Sequence, residues 1–175
     1  MKRIFYLPYD IRKIINLFTY HLIPTIHRLL KKDQKYGKTL IYYSSNLFFS
    51  GGLADRLKGI ATAYNLAVLS SRKFKIISNS PFEMKKILIK NNINWEIETS
   101  SMEKKILFVA KHYNFMDKPD LIEENIEKII HNQNQVIALR INDDYTHHIK
   151  NYYKNDKVKD WNESFNYIFS YSTFT

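Results

Sequence analysis

From residue 38 onward the chain alternates short apolar runs with longer stretches in which apolar residues recur every three or four positions. Thr39 to Tyr43 (TLIYY) reads as a buried strand. Leu53 to Ser70 carries Leu53, Leu57, Ile60, Ala61, Tyr64, Ala67 and Val68 on one side, which is helical spacing. Lys73 to Ser78 (KFKIIS) is a second strand. Pro81 is expected to open a helix through Lys90, because proline's missing N–H costs nothing in a first turn. Trp95 to Glu98 reads as a short strand and Ile106 to Ala110 (ILFVA) as a stronger one. Pro119 begins the next predicted helix, with Asp120, Glu123 and Glu124 at its positive end and Ile122, Ile126, Ile129 and Ile130 as its apolar row. Gln135 to Ile141 is the last strand and Glu163 to Tyr171 the last helix. Such alternation predicts right-handed βαβ crossovers, so the expected class is α/β, a Rossmann-like parallel sheet flanked by helices.

Residues 1–37 have a different character. Ile14, Ile15, Phe18, Leu22, Ile26, Leu29 and Leu30 recur at helical spacing beside Lys13, Arg28, Lys31 and Lys32, the pattern of an amphipathic helix bent or broken near Pro24. Its longest uncharged stretch, Ile14 to His27, falls short of the ~20 apolar residues needed to span a bilayer. No small-residue cleavage site follows, which disfavours a secretory signal. Two readings stay open: a helix packed on its own domain, or one lying on an anionic membrane surface.

Charge placement bears on that choice. Of a net +10, residues 1–38 hold nine Lys/Arg against two acids, or +7. An anionic partner near that end is one implication, whether nucleotide, nucleic acid or membrane, and a solvated basic face is the other. The Tyr and Lys residues are dispersed rather than set out as a stacking platform, so nucleic acid is not expected. With no cysteine, disulfides, thiolate metal sites and cysteine nucleophiles are excluded together. The expected compartment is the cytoplasm, with peripheral membrane association as an option.

The segment richest in candidate chemistry is Ser50-Gly51-Gly52-Leu53-Ala54-Asp55-Arg56-Leu57-Lys58-Gly59-Ile60, which holds three of the four glycines. Between a strand and a helix, Gly51 and Gly52 permit a tight turn and a close backbone approach. The free N–H groups of a helix start can hold a phosphate or a sugar face, and Arg56 and Lys58 add positive charge. An ordinary βα turn with a solvated basic first helical turn has the same residues. Asp55 can contact a ligand there, or cap the helix or pair with Lys58. Neither a G-x-G-x-x-G nor a P-loop is present.

The run GGLADRLKGIATAYNLAVLSSRKFKI, with the tyrosine-rich strand before it, resembles the first conserved segment of the GT-B fucosyltransferases, the broad group of plant cell-wall, Nod-factor and protein O-fucosyltransferases. The resemblance covers Thr39 to Ile77, with Ala54 where the family usually has glycine. A second family feature, a strand ending in His-x-Arg, has its nearest counterpart in Ala138-Leu139-Arg140-Ile141-Asn142-Asp143, where Ala138 replaces the histidine and Asn142 a glycine. An arginine at the carboxyl end of a parallel strand can pair bidentately with phosphate; it can equally be a surface residue paired with Asp143 or Asp144.

The resemblance implies fucose transfer from GDP-fucose to a glycan hydroxyl with inversion. Arg140 would neutralise the departing diphosphate as the catalytic residue, and Gly51, Gly52, Asp55 and Arg56 would line the donor and acceptor cleft. It implies no metal and no cofactor beyond the donor, and the chain has no D-x-D. His147 and His148 point apart in any regular structure, which leaves a shared metal without a third ligand. A two-domain GT-B enzyme needs roughly twice the ~150 residues of one domain. The expected organisation is therefore a basic helical segment at 1–37, a Rossmann-like domain at 38–134, and at 135–175 the incomplete start of a second, donor-binding domain, as in a truncated member. The competing class is a non-catalytic basic α/β binding module.

Overall fold

A computed structural model describes residues 37–44, 52–78, 84–97, 106–107, 109–115 and 122–170. The amphipathic reading of residues 1–36, Gly51, and the helix starts at Pro81 and Pro119 lie outside the described residues.

Four strands form one parallel sheet. Strand β1 (Thr39–Ser44) pairs with β2 (Lys73–Ser78) on one side and with β5 (Val136–Arg140) on the other, and β4 (Lys111–Asn114) pairs with the far edge of β5. The order is β2-β1-β5-β4. The helices are α1 (Leu53–Leu69), α2 (Ile122–Ile130), α3 (Thr146–Tyr153) and α4 (Trp161–Ile168). A short antiparallel ribbon joins β3 (Ile89–Lys90) to β6 (Phe169–Ser170).

This order dictates the layers. The steps from β1 to β2 and from β4 to β5 move the same way across the sheet, so right-handed crossovers put α1 and α2 on one face. The step from β2 to β4 moves the opposite way and crosses the other face. Side-chain alternation matches. Leu40, Tyr42, Phe74, Ile76, Ile137 and Leu139 pack with Ile60, Ala63 and Leu66 of α1 and with Ile126 and Ile129 of α2. Ile41, Ile77, Val136 and Ala138 point the other way, against Ile106, Val109 and Ala110.

Three expected elements differ. Ile106 to Ala110 is no strand: Ile106, Leu107 and Val109 are helical, and the strand is the next four residues, Lys111–Asn114. Ile106 and Val109, three apart, turn one apolar side to the sheet, whereas the half-buried edge strand carries no apolar run to announce it. The described part of the helix expected at Pro81 to Lys90 is a single 3-10 turn, Met84–Lys86, followed by β3. Backbone pairing with β6, 80 residues away, takes Ile89 and Lys90 out of any helix, and it leaves Ile89 exposed. Trp95 to Ile97 forms no strand, although the Trp95 carbonyl accepts from the Ile76 N–H (2.9 Å) and its ring is buried.

The segment expected to open a second domain at residue 135 supplies the strand between β1 and β4, so these residues complete the first sheet rather than begin another. Beyond it, Ile149 of α3, Val158, and Ile168 of α4 enter the same core as α1. Helix α1 is consequently buried on two sides. Besides its apolar row, Arg56, Gly59, Thr62 and Asn65 are buried, each three residues after the last. Among the described residues no helix is long and apolar enough to cross a membrane.

Candidate functional site

In an open parallel sheet, ligands bind outside the carboxyl ends of the strands, where helix starts supply N–H groups. Here that end gathers Ser44 of β1, Ser78 of β2, Arg140 of β5 and the first turns of α1.

Arg140 is where the sequence placed it, the last residue of β5. It is buried, beside Asn114 in the β4 register, and its carbonyl accepts from the Phe115 N–H at 2.9 Å. The acids considered as surface partners are engaged locally. Asp144 accepts from the Thr146 N–H (2.9 Å) and hydroxyl (2.5 Å) at the start of α3, and the Asp143 carboxylate accepts from the Tyr145 hydroxyl at 3.5 Å.

Arg56 is also buried, on the side of α1 that faces the sheet end. Arg140 follows Val136 and Ala138 onto the face opposite Tyr42 and α1, yet the charges of both arginines act on the Tyr42 hydroxyl. Burial pushes the Tyr42 hydroxyl far above the ordinary tyrosine range, while the charges of Arg56 and Arg140 pull it back. Burial lowers Arg56 in turn, opposed by Tyr42, yet a guanidinium starting so high stays charged.

Gly52 and Asp55 together cap the start of α1. Gly52 is the N-cap of α1 in an extended conformation (φ −71°) open to any residue. Its N–H donates to the Asp55 carboxylate (3.2 Å), which also lies 3.8 Å from the Lys58 ammonium. Asp55 thus closes half of a capping box and answers the helix dipole, one of the two roles open to it from sequence.

The glycine that permits close approach is Gly59. A Cβ there would lie 2.7 Å from the Ile141 carbonyl carbon, closer still to its oxygen, and 3.1 Å from Cε2 of Tyr42. Only a bare Cα lets α1 descend onto the end of β5 and the Tyr42 ring. Thr62 then ties the next loop to the helix: its hydroxyl donates to the Asp143 carbonyl and accepts from the Tyr145 N–H, both at 2.9 Å. One turn on, the Asn65 amide donates to the Lys159 carbonyl (2.6 Å) and accepts from the Lys159 N–H (3.0 Å). Gly59, Thr62 and Asn65 were not singled out from sequence, although small or polar residues every third position on an otherwise apolar helix are a visible signal of a second packed side.

Ala138, which stands where the resembling family has histidine, has His112 of β4 beside it in register. Burial pushes that imidazole down to about 4. Its hydrogen bond with the Leu107 carbonyl (2.9 Å) opposes the shift, and the charges of Arg140 and Lys111 add to it. His112 is therefore neutral at neutral pH, with Nε2–H the donor to Leu107. Arg72 belongs to the opposite end of the sheet. Its guanidinium donates to the carbonyls of Asn132 (2.7 Å), Asn134 (2.8 Å) and Gln135 (3.1 Å), holding the loop that leads into β5.

His147 and His148 diverge: Nε2 of His147 lies 2.9 Å from the Asn151 amide, and Nε2 of His148 lies 3.5 Å from Glu123. Among the described residues no three His, Asp or Glu side chains come together as a metal site.

Comparison with family models, with curated proteins and with solved structures gives no match to this chain. The site is accordingly characterised by its own features: two buried arginines, whose charges both act on the Tyr42 hydroxyl, at the carboxyl end of a parallel sheet.

Proposed function

We propose that this chain binds the diphosphate of a nucleotide sugar at the carboxyl end of β5 and belongs to a GDP-fucose-dependent glycosyltransferase. The single observation that carries the reading is the burial of two arginines, Arg56 and Arg140, at the carboxyl end of the sheet, where both charges act on the Tyr42 hydroxyl. A buried positive pair at this end of a sheet suits a doubly anionic group better than a neutral one. The choice of GDP-fucose rests on the resemblance of residues 39–77 to the fucosyltransferase segment.

In this reading an acceptor hydroxyl attacks fucose C1 with inversion. The bond from C1 to the diphosphate oxygen breaks, GDP leaves with the electron pair, and the hydroxyl proton is released. Arg140 stabilises charge growing on the departing diphosphate, and Arg56 with the start of α1 lines the cleft. The reading needs no resident metal. Titration of the full chain with GDP tests it: saturable binding that weakens at least tenfold in Arg140→Ala is expected, about the value of one hydrogen bond to a charged group. Absence of GDP binding at millimolar concentration overturns it.

The N-terminal charge surplus supports a second, separable reading, in which residues 1–35 hold a cytoplasmic chain against anionic membrane. Binding to vesicles containing anionic lipid, lost at high salt and unaffected by Arg140→Ala, is the outcome it requires.

A further inference from the structure

Serines end both strands beneath the start of α1. Ser44 and Ser78 face each other as the last rung of the β1 and β2 ladder, and Tyr42 lies two residues back on β1. Side chains alternate across a sheet, so all three hydroxyls belong to the face on which Leu40, Phe74 and Ile76 pack under α1. Arg56 sits one turn before Gly59, the position of α1 that rests on the Tyr42 ring.

Tyr42 and Ser44 are 1% exposed and Ser78 5%. The hydroxyl oxygen of each is enclosed and has no hydrogen-bond partner. One such group is a tolerable defect. Three on one face, at the ligand-binding end, cost more than packing explains, because alanine or phenylalanine would fill the same space without an unmet polar atom. What is missing can be named. Guanidinium groups donate and cannot accept, and each hydroxyl has a proton to give. Among the described residues none accepts from these hydroxyls, and with the buried Arg56 cation above the same face the acceptor that fits is an anion with several oxygens.

We propose that the hydroxyls of Tyr42, Ser44 and Ser78 form the floor of an oxyanion seat, roofed by the first turns of α1 and Arg56, that takes a phosphoryl group. The proposal deepens the donor reading and rests on it for the place where the ligand sits, although the chemistry of the seat is indifferent to nucleotide or sugar. It makes Arg56 a direct phosphate ligand and shifts the phosphoryl group from the tip of β5 toward the α1 side of β1 and β2.

Inorganic pyrophosphate is the probe, titrated calorimetrically into the full chain and into Ser44→Ala/Ser78→Ala, with GDP as competitor. Saturable pyrophosphate binding is expected, weakened about tenfold or more in the double variant. The thermal midpoint should be unchanged or raised, since two unmet hydroxyls have gone. Tyr42→Phe, which keeps the ring on Gly59, should weaken binding in the same direction and serves if the double variant does not fold. Failure of the full chain to bind pyrophosphate overturns the seat. So does a double variant that binds as the parent does, and if GDP still binds in an Arg140-dependent way the donor reading survives that failure. Pyrophosphate bound through the serines but not displaced by GDP leaves the seat standing and removes the nucleotide-sugar donor.

Discussion

Gly59 of α1 sits directly over the carbonyl of Ile141, so close that a single added methyl would fall 2.7 Å from the carbonyl carbon. The obstacle is backbone on both sides, a helix and the end of a strand, and neither can swing aside like a flexible side chain.

Gly59→Ala should therefore destabilise despite alanine's better helix propensity. Overpacking typically costs about 1 to 3 kcal/mol, and a backbone clash belongs at the upper end. A guanidinium unfolding midpoint equal to or above the parent's would show that α1 can lift at no cost. The lift also moves the residue next to Arg140, so ligand affinity should fall with stability.

His112 makes stability depend on pH. Its folded value near 4 lies below the ordinary 6.5, so the unfolded chain takes up the proton first as pH falls. The contribution is complete above about pH 6.5 and is lost progressively between about 6.5 and 4, on the order of 3 kcal/mol for a shift of this size. Denaturation midpoints across that window should fall for the parent. They should fall less steeply for His112→Gln, which lacks the titrating ring.

Thr62 and Asn65 hold the segment after β5 against α1. Asn65→Ala leaves the Lys159 N–H without its partner and the Lys159 carbonyl with only the Ser164 hydroxyl (3.3 Å), at a cost of about 1 to 3 kcal/mol. Amide exchange should quicken in residues 155–165 before it quickens in the sheet. Uniform loss of protection would mean that this segment and the sheet open as one unit.

Arg72 and Arg140 should part company under substitution. Arg72 donates to three carbonyls at the amino end of the sheet, and Arg72→Ala is expected to lower stability by about 3 kcal/mol without changing anion affinity. For Arg140→Ala the main effect should be on affinity. Equal effects on both properties in both variants would erase the distinction between a structural and a ligand-binding arginine.

The sheet was legible where strands are buried on both faces. TLIYY, KFKIIS and QVIALRI are apolar runs, and they became β1, β2 and β5. The edge strand KHYN was not legible, because its half-buried positions need no apolar run. ILFVA misled for the converse reason: five apolar residues in a row serve a strand or a buried helical turn equally well. At the site, Arg56 was legible in the glycine-rich turn that opens α1, and Arg140 through the resemblance to a family strand ending in His-x-Arg. Gly59 could be seen as a glycine but not as the contact point, because its neighbour Ile141 lies 82 residues ahead in the chain. Ser44 and Ser78 ended their strands without remark, since a serine after an apolar run usually meets water, and only the packing shows that here it does not.

The middle of the sheet joins strands made at very different times. Leu40 pairs with Ile137, and β4 has β5 as its sheet neighbour. During synthesis β1 and β2 can associate early, but β1 keeps one edge open, and β4 waits without a place, until residue 140 has left the ribosome. Contacts of such long sequence separation slow folding and expose unpaired edges meanwhile. Nascent chains halted before β5 should thus be the ones that chaperones hold and that aggregate when released, whereas those halted just after it should already resist protease across β1, β2 and β4.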